Sequence, residues 1–137
     1  MSRAALRRAV DDEQIASKLC EVRSGRCYVL PPPAAQVIAR EALELRKQLP
    51  KSKRGGLSTR RAGELGIGSG VKRAQDIAAG RRVDASQVDR FFSRFQGKIA
   101  QALIDGVPVA KSRALQAADL WGGFPMRDAA RRALGKR

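Results

Sequence analysis

The chain has 137 residues, 43% of them hydrophobic and 30% charged, with 28 Lys+Arg against 13 Asp+Glu and a formal net charge of +15. It has no histidine, which excludes an imidazole base, a His-ligated zinc and a histidine pH switch. No apolar run approaches the roughly 18 residues of a membrane helix, and Met1-Ser2-Arg3 leads into mixed charge, so no secretory leader is expected.

The charge is uneven. Residues 1–50 hold 9 basic and 6 acidic residues, +3; residues 51–137 hold 19 and 7, +12. A field of that size attracts polyanions at low salt. Nucleic acid is the first partner to consider, and an acidic protein surface is the second.

In chain order, residues 3–19 carry a helical rhythm of Ala5, Leu6, Ala9, Ile15 and Leu19. Residues 19–30 read as two short strands around a Ser24-Gly25 turn. Cys20 and Cys27 flank that turn. A hairpin could set them face to face as a disulfide, but a reduced pair of small apolar side chains is the favoured expectation. Without histidine, two thiolates do not complete a zinc site.

Pro31-Pro32-Pro33 is a stiff spacer. A helix over 34–49 follows, with Val37, Ile38, Ala42, Leu45 and Leu49 as its apolar face and Pro50 as its stop. Residues 51–56, Lys-Ser-Lys-Arg-Gly-Gly, read as a basic flexible linker. The pattern therefore expects an N-terminal arm over 1–50, a linker over 51–56 and a C-terminal helical domain over 57–137.

Within that domain a short helix is expected after Ser58, then one capped by Ser69 and closed by Gly80. The longest helix spans about 85–105, capped by Asp84 or Ser86. Val88, Phe91, Phe92, Phe95, Ile99 and Leu103 form its core face, and Trp121 joins them from a helix over 110–121. Arg90, Arg94 and Lys98 form a basic ridge at i, i+4, i+8. Pro125 is expected at the first position of a last helix, whose basic side is Arg127, Arg131 and Arg132.

Chemistry is sparse. The aspartates lie beside basic residues and at helix starts, where capping and surface pairing account for them. No serine or cysteine has a histidine partner. No catalytic residue, cofactor or metal is expected. Phosphate-backbone contact by Lys51, Lys53, Arg54, Lys72, Arg73, Arg81, Arg82, Arg90, Arg94, Lys98, Arg127, Arg131 and Arg132 is expected instead. Residues 70–79, the turn at Gly80 and the helix from 84 have helix–turn–helix spacing. The second of these helices is too apolar for a reading helix, so little base readout is expected.

Gly70-Val71-Lys72-Arg73-Ala74-Gln75-Asp76-Ile77, Gly80-Arg81-Arg82-Val83, Val88-Asp89-Arg90-Phe91-Phe92-Ser93-Arg94-Phe95 and Leu120-Trp121-Gly122-Gly123 occur in that order. Residues 68–134 thereby resemble a small domain of tailed-bacteriophage proteins associated with virions and heads. Departures from the pattern are Gln96, where many members have histidine, the direct run through 97–107, and Ala117, near which many have a second tryptophan.

The resemblance implies a non-enzymatic virion protein, associated with capsid or neck and facing packaged DNA. It implies other virion proteins as partners in a symmetric assembly and residence in the host cytoplasm before assembly. Alternatives are a soluble, sequence-nonspecific nucleic-acid-binding protein of the host cytoplasm and, more weakly, a small phage enzyme or host-factor inhibitor. The expected fold is all-α, with room for one short β-hairpin in the arm.

Overall fold

The computed structural model describes residues 20–56, 60 and 69–136. The helices expected over 3–19 and after Ser58 lie outside the described residues.

The hairpin forms as strands β1 (Glu21–Arg23) and β2 (Arg26–Val29). Ser24 and Gly25 both take positive φ, 50° and 76°, the combination of a two-residue type I′ turn whose twist matches the flanking strands. The register sets Glu21 opposite Tyr28 and Val22 opposite Cys27. Cys20 and Cys27 therefore stand diagonally on one face of the ribbon, with Cα atoms 5.1 Å apart, and are joined as a disulfide. This corrects the expected reduced pair.

The all-α expectation also needs correction. A two-residue strand, β3 (Val83–Asp84), pairs antiparallel with Tyr28 and Val29, giving a three-stranded sheet in the order β1-β2-β3. Two residues carry no readable alternation, so sequence pattern cannot register such a strand. Its effect is large, because it buries Val29 and Val83 together against the helices. Charged groups fasten the sheet further. Arg82 Nε pairs with Glu21 at 2.9 Å, Arg82 Nη1 donates to the Tyr28 carbonyl, and Arg26 lies 3.7 Å from Asp84.

The rest of the described chain is helical: α1 (Pro33–Gln48), α2 (Gly70–Ala78), α3 (Ala85–Ile104), α4 (Arg113–Leu120) and α5 (Gly123–Ala133). Ser69 caps α2 by accepting from Lys72 N, Asp84 caps α3 by accepting from Ser86 N, and Ser112 caps α4 by accepting from Leu115 N. A 3₁₀ turn, Val109–Lys111, replaces the first part of the helix expected from 110. The last helix starts at Gly123, so Pro125 is its third residue, two steps deeper in the first turn than expected.

Helix α1 is not part of a separate arm. It packs on α2, α4 and α5, and Ala35, Ala39 and Ala42 belong to the same buried cluster as Ile77, Val88, Leu120 and Met126. The apolar face expected from the larger side chains is displaced accordingly. Val37 is 45% exposed, whereas Ala35 and Ala39 are fully buried. Methyl-sized contacts let neighbouring backbones approach closely, and the larger residues seal the flanks.

Within the expected core, Val88, Phe92, Ile99 and Trp121 are buried. Phe91 and Phe95 are half-buried, and Phe91 stacks on Trp121 with ring centroids 4.9 Å apart and planes 6° from parallel. Leu103 is the exception at 51% exposed, because residues 103–106 at the end of α3 all stand in solvent.

Ala39→Leu should overpack the α1 contact and lower unfolding free energy by about 2 kcal/mol. A denaturant midpoint equal to that of the parent would contradict the alanine-mediated packing.

Candidate nucleic-acid interface

The thirteen expected phosphate ligands fall into groups with different electrostatic standing. Around Asp76, which is 8% exposed, three cations converge: Arg81 at 2.8 Å, Lys72 at 3.2 Å and Arg73 at 3.5 Å. Their spacing along α2 and the turn after it makes this inevitable, since i+3 and i+4 neighbours share a helix face. One carboxylate does not neutralise three cations, but it orients them, with Lys72 and Arg81 still exposed and Arg73 mostly covered. Arg82 is committed to Glu21 and the Tyr28 carbonyl, so it serves the sheet.

On α5, Arg127 pairs with Asp128 at 2.9 Å and Arg131 lies 3.9 Å from Asp89, while Arg132 is exposed. Lys136 reaches the same Asp89 at 2.5 Å. The ridge on α3 forms as expected: Arg90, Arg94 and Lys98 are exposed, at steps of about 6 Å along the helix axis. Because Val88, Phe92 and Ile99 of that helix are buried, α3 is a scaffold helix, as its apolar character implied.

The remaining group differs in kind. After Pro50 the chain makes a 3₁₀ turn, Lys51–Lys53, and folds back on α4. Arg54 Nε donates to the Leu49 carbonyl at 2.9 Å. Gly55 N donates to Gln116 Oε1 at 2.7 Å, Gln116 Nε2 donates to the Val109 and Ala110 carbonyls, and Arg113 donates to the Ser52 carbonyl. Gly55 is buried so tightly that a Cβ there would lie 2.3 Å from the Arg113 carbonyl oxygen. The expected flexible linker is therefore docked. The Gly55 N–H and the Ser52 carbonyl are satisfied by α4 and the Lys53 and Arg54 N–H groups by the turn itself, which removes the freedom that its composition implied.

Docking brings Lys51, Lys53 and Arg54 beside Arg46 and Arg113. Among the described residues no carboxylate pairs with any of these five. Arg46 records the consequence. Burial, with the nearby Arg54 guanidinium second, lowers its pKa, and its Nε is buried without a hydrogen-bond partner. Lys51 and Lys53 are exposed at the rim.

Arg46 and Arg113 were not anticipated as part of an interface. A signal was available: Arg46, Lys47, Lys51, Lys53, Arg54, Arg60 and Arg61 follow one another with no acidic residue between Glu44 and Glu64. Arg113 had none, because only the fold sets it beside Ser52.

Among the described residues no group of three or more His, Cys, Asp or Glu is placed to hold a metal, and no helix is long and apolar enough to cross a membrane. The notable titrating group is Asp119, whose carboxyl is raised from the usual 3.8 to about 6 by burial and, secondarily, by Glu41. No protein-family model, curated protein or solved structure matches the chain.

Asp119 yields a pH prediction. The folded state holds its proton more tightly than the unfolded chain, so its stabilising effect is complete below pH 3.8 and fades as pH rises through 6. With partial exposure discounted, that loss is about 1–2 kcal/mol. Asp119→Asn should therefore gain stability relative to the parent between pH 4 and 7. A difference that stays constant across that range in denaturant titrations would refute the assignment.

Proposed function

We propose that the chain is a non-enzymatic, phosphate-backbone-binding structural protein of a tailed-phage particle, with its basic surface against packaged DNA. The supporting observation is the docked turn at 51–54. It gathers Lys51, Lys53 and Arg54 with Arg46 and Arg113, with no carboxylate partner among the described residues, and Arg46 there has its pKa lowered first by burial and second by Arg54.

Such a cluster is costly in the free protein and is relieved by a polyanion, whose binding also releases condensed counterions. The cations around Asp76 and the ridge on α3 add field without base-edge geometry, which favours sequence-independent contact. The particle setting rests on the resemblance of residues 68–134 to virion-associated phage domains.

Two measurements test this reading. Affinity for a random duplex should fall steeply with salt. Lys51→Gln with Lys53→Gln should flatten the slope of log K against log salt by about 2, at roughly 0.9 for each phosphate no longer neutralised. Arg23→Gln, already paired with Glu21 at 2.7 Å, should leave it unchanged. Equal slopes for all three proteins would remove the cluster from the interface. Mass spectrometry of purified particles should find a copy number fixed by particle symmetry, and absence from particles would transfer the same chemistry to a free nucleic-acid-binding protein.

A further inference from the structure

We infer that the groove between α3 and α5 is the docking site for an acidic amphipathic helix of a partner protein. The groove encloses about 430 Å³. Phe92 and Ile99 form its buried apolar floor. Leu103, 51% exposed, and Phe124, 41% exposed, open onto it. Apolar side chains left in solvent on both walls of one groove are costly in proportion to their exposed surface. Gathered in this way, they mark an interaction surface rather than scattered surface residues.

The charge around the groove specifies the partner. Arg127 and Arg131 stand one helical turn apart on the α5 wall, and Arg127 lies 4.3 Å over the Phe124 ring, its head held at the groove edge. The α3 wall contributes the uncharged Ser93 and Gln96, and Asp128 is the single acidic lining residue among the described residues. Arg127 already pairs with Asp128 and Arg131 lies 3.9 Å from Asp89, yet the Arg127 guanidinium has five N–H donors and can engage a second carboxylate.

The matching ligand is a helix with apolar anchors at i, i+3 or i+4, and i+7, and with Asp or Glu one turn apart along the flank facing α5. A second copy would bring the same cations against each other. A phosphate backbone would satisfy the arginines but leave Leu103 and Phe124 unmatched. This site goes beyond the phosphate-binding reading and does not depend on it.

The test is a selection on the intact protein from a yeast-displayed library of 16-residue amphipathic helices. The apolar anchors are fixed, the other positions are random, and excess duplex DNA occupies the polyanion surface. Enriched sequences should carry Asp or Glu on one flank. The best synthetic peptide should lose at least tenfold affinity against Leu103→Asp and against Arg127→Gln, and none against Arg94→Gln. All variants should keep the parent circular dichroism spectrum.

Several outcomes would overturn the proposal: no enrichment, enrichment without acidic residues, or peptides indifferent to Leu103→Asp. Enrichment that appears only when duplex DNA is left out would reassign the groove to nucleic acid. A parent dimer in sedimentation that Leu103→Asp dissolves would reassign it to a second copy.

Discussion

The close approach of α1 to its neighbours, through Ala35, Ala39 and Ala42, is the constraint on which the other features depend. Bulky aliphatics at these positions would hold α1 off α2, α4 and α5. With methyls there, the helix lies deep enough that its C-terminal turn ends beside α4, and Pro50 then directs the chain onto that helix. The hydrogen bond from Gly55 N to Gln116 and the contact of Arg113 with the Ser52 carbonyl complete the dock. The cation cluster is thus a product of packing: the local sequence makes it basic, and the α1 interface and the dock on α4 gather it.

The same packing governs how charge is distributed. Where a buried aspartate is within reach, cations are paired to it at the surface, as around Asp76 and Asp89. Ion pairs this exposed on the cation side contribute modest stability, but they orient the arginines and lysines and reduce the local field. Around residues 46–54 Glu44 takes Lys47, and among the described residues no carboxylate pairs with Arg46, Lys51, Lys53 or Arg54. Net charge alone would treat all the basic groups as equal, whereas their partners make them unequal.

Much of the helical order was legible in sequence. Ser69, Asp84 and Gly80 punctuate the chain where their chemistry requires, and the apolar period of α3 placed Val88, Phe92 and Ile99 correctly. What was illegible came from tertiary pairing. The two-residue strand β3 exists only because β2 offers it an edge. The buried face of α1 was misread because hydrophobic scale favours Val37 and Leu45 over alanine, whereas close helix contact favours the methyl. Leu103 satisfied the period of α3 but extends past the elements that cover its earlier turns. At the candidate interface, Lys51, Lys53 and Arg54 were recognisable as a basic tract. Arg113, 59 positions beyond Arg54, was not, since no local pattern links it to them.

The central claim is that the unpaired cluster, and not the carboxylate-held cations, meets the polyanion. Lysine acetylation footprinting, read by mass spectrometry with and without duplex DNA at moderate salt, tests it most directly. The account predicts strong protection of Lys51 and Lys53, with Lys72 and Lys136, paired to Asp76 and Asp89, reacting nearly as in the free protein. Protection of Lys72 or Lys136 with Lys51 and Lys53 left reactive would contradict it.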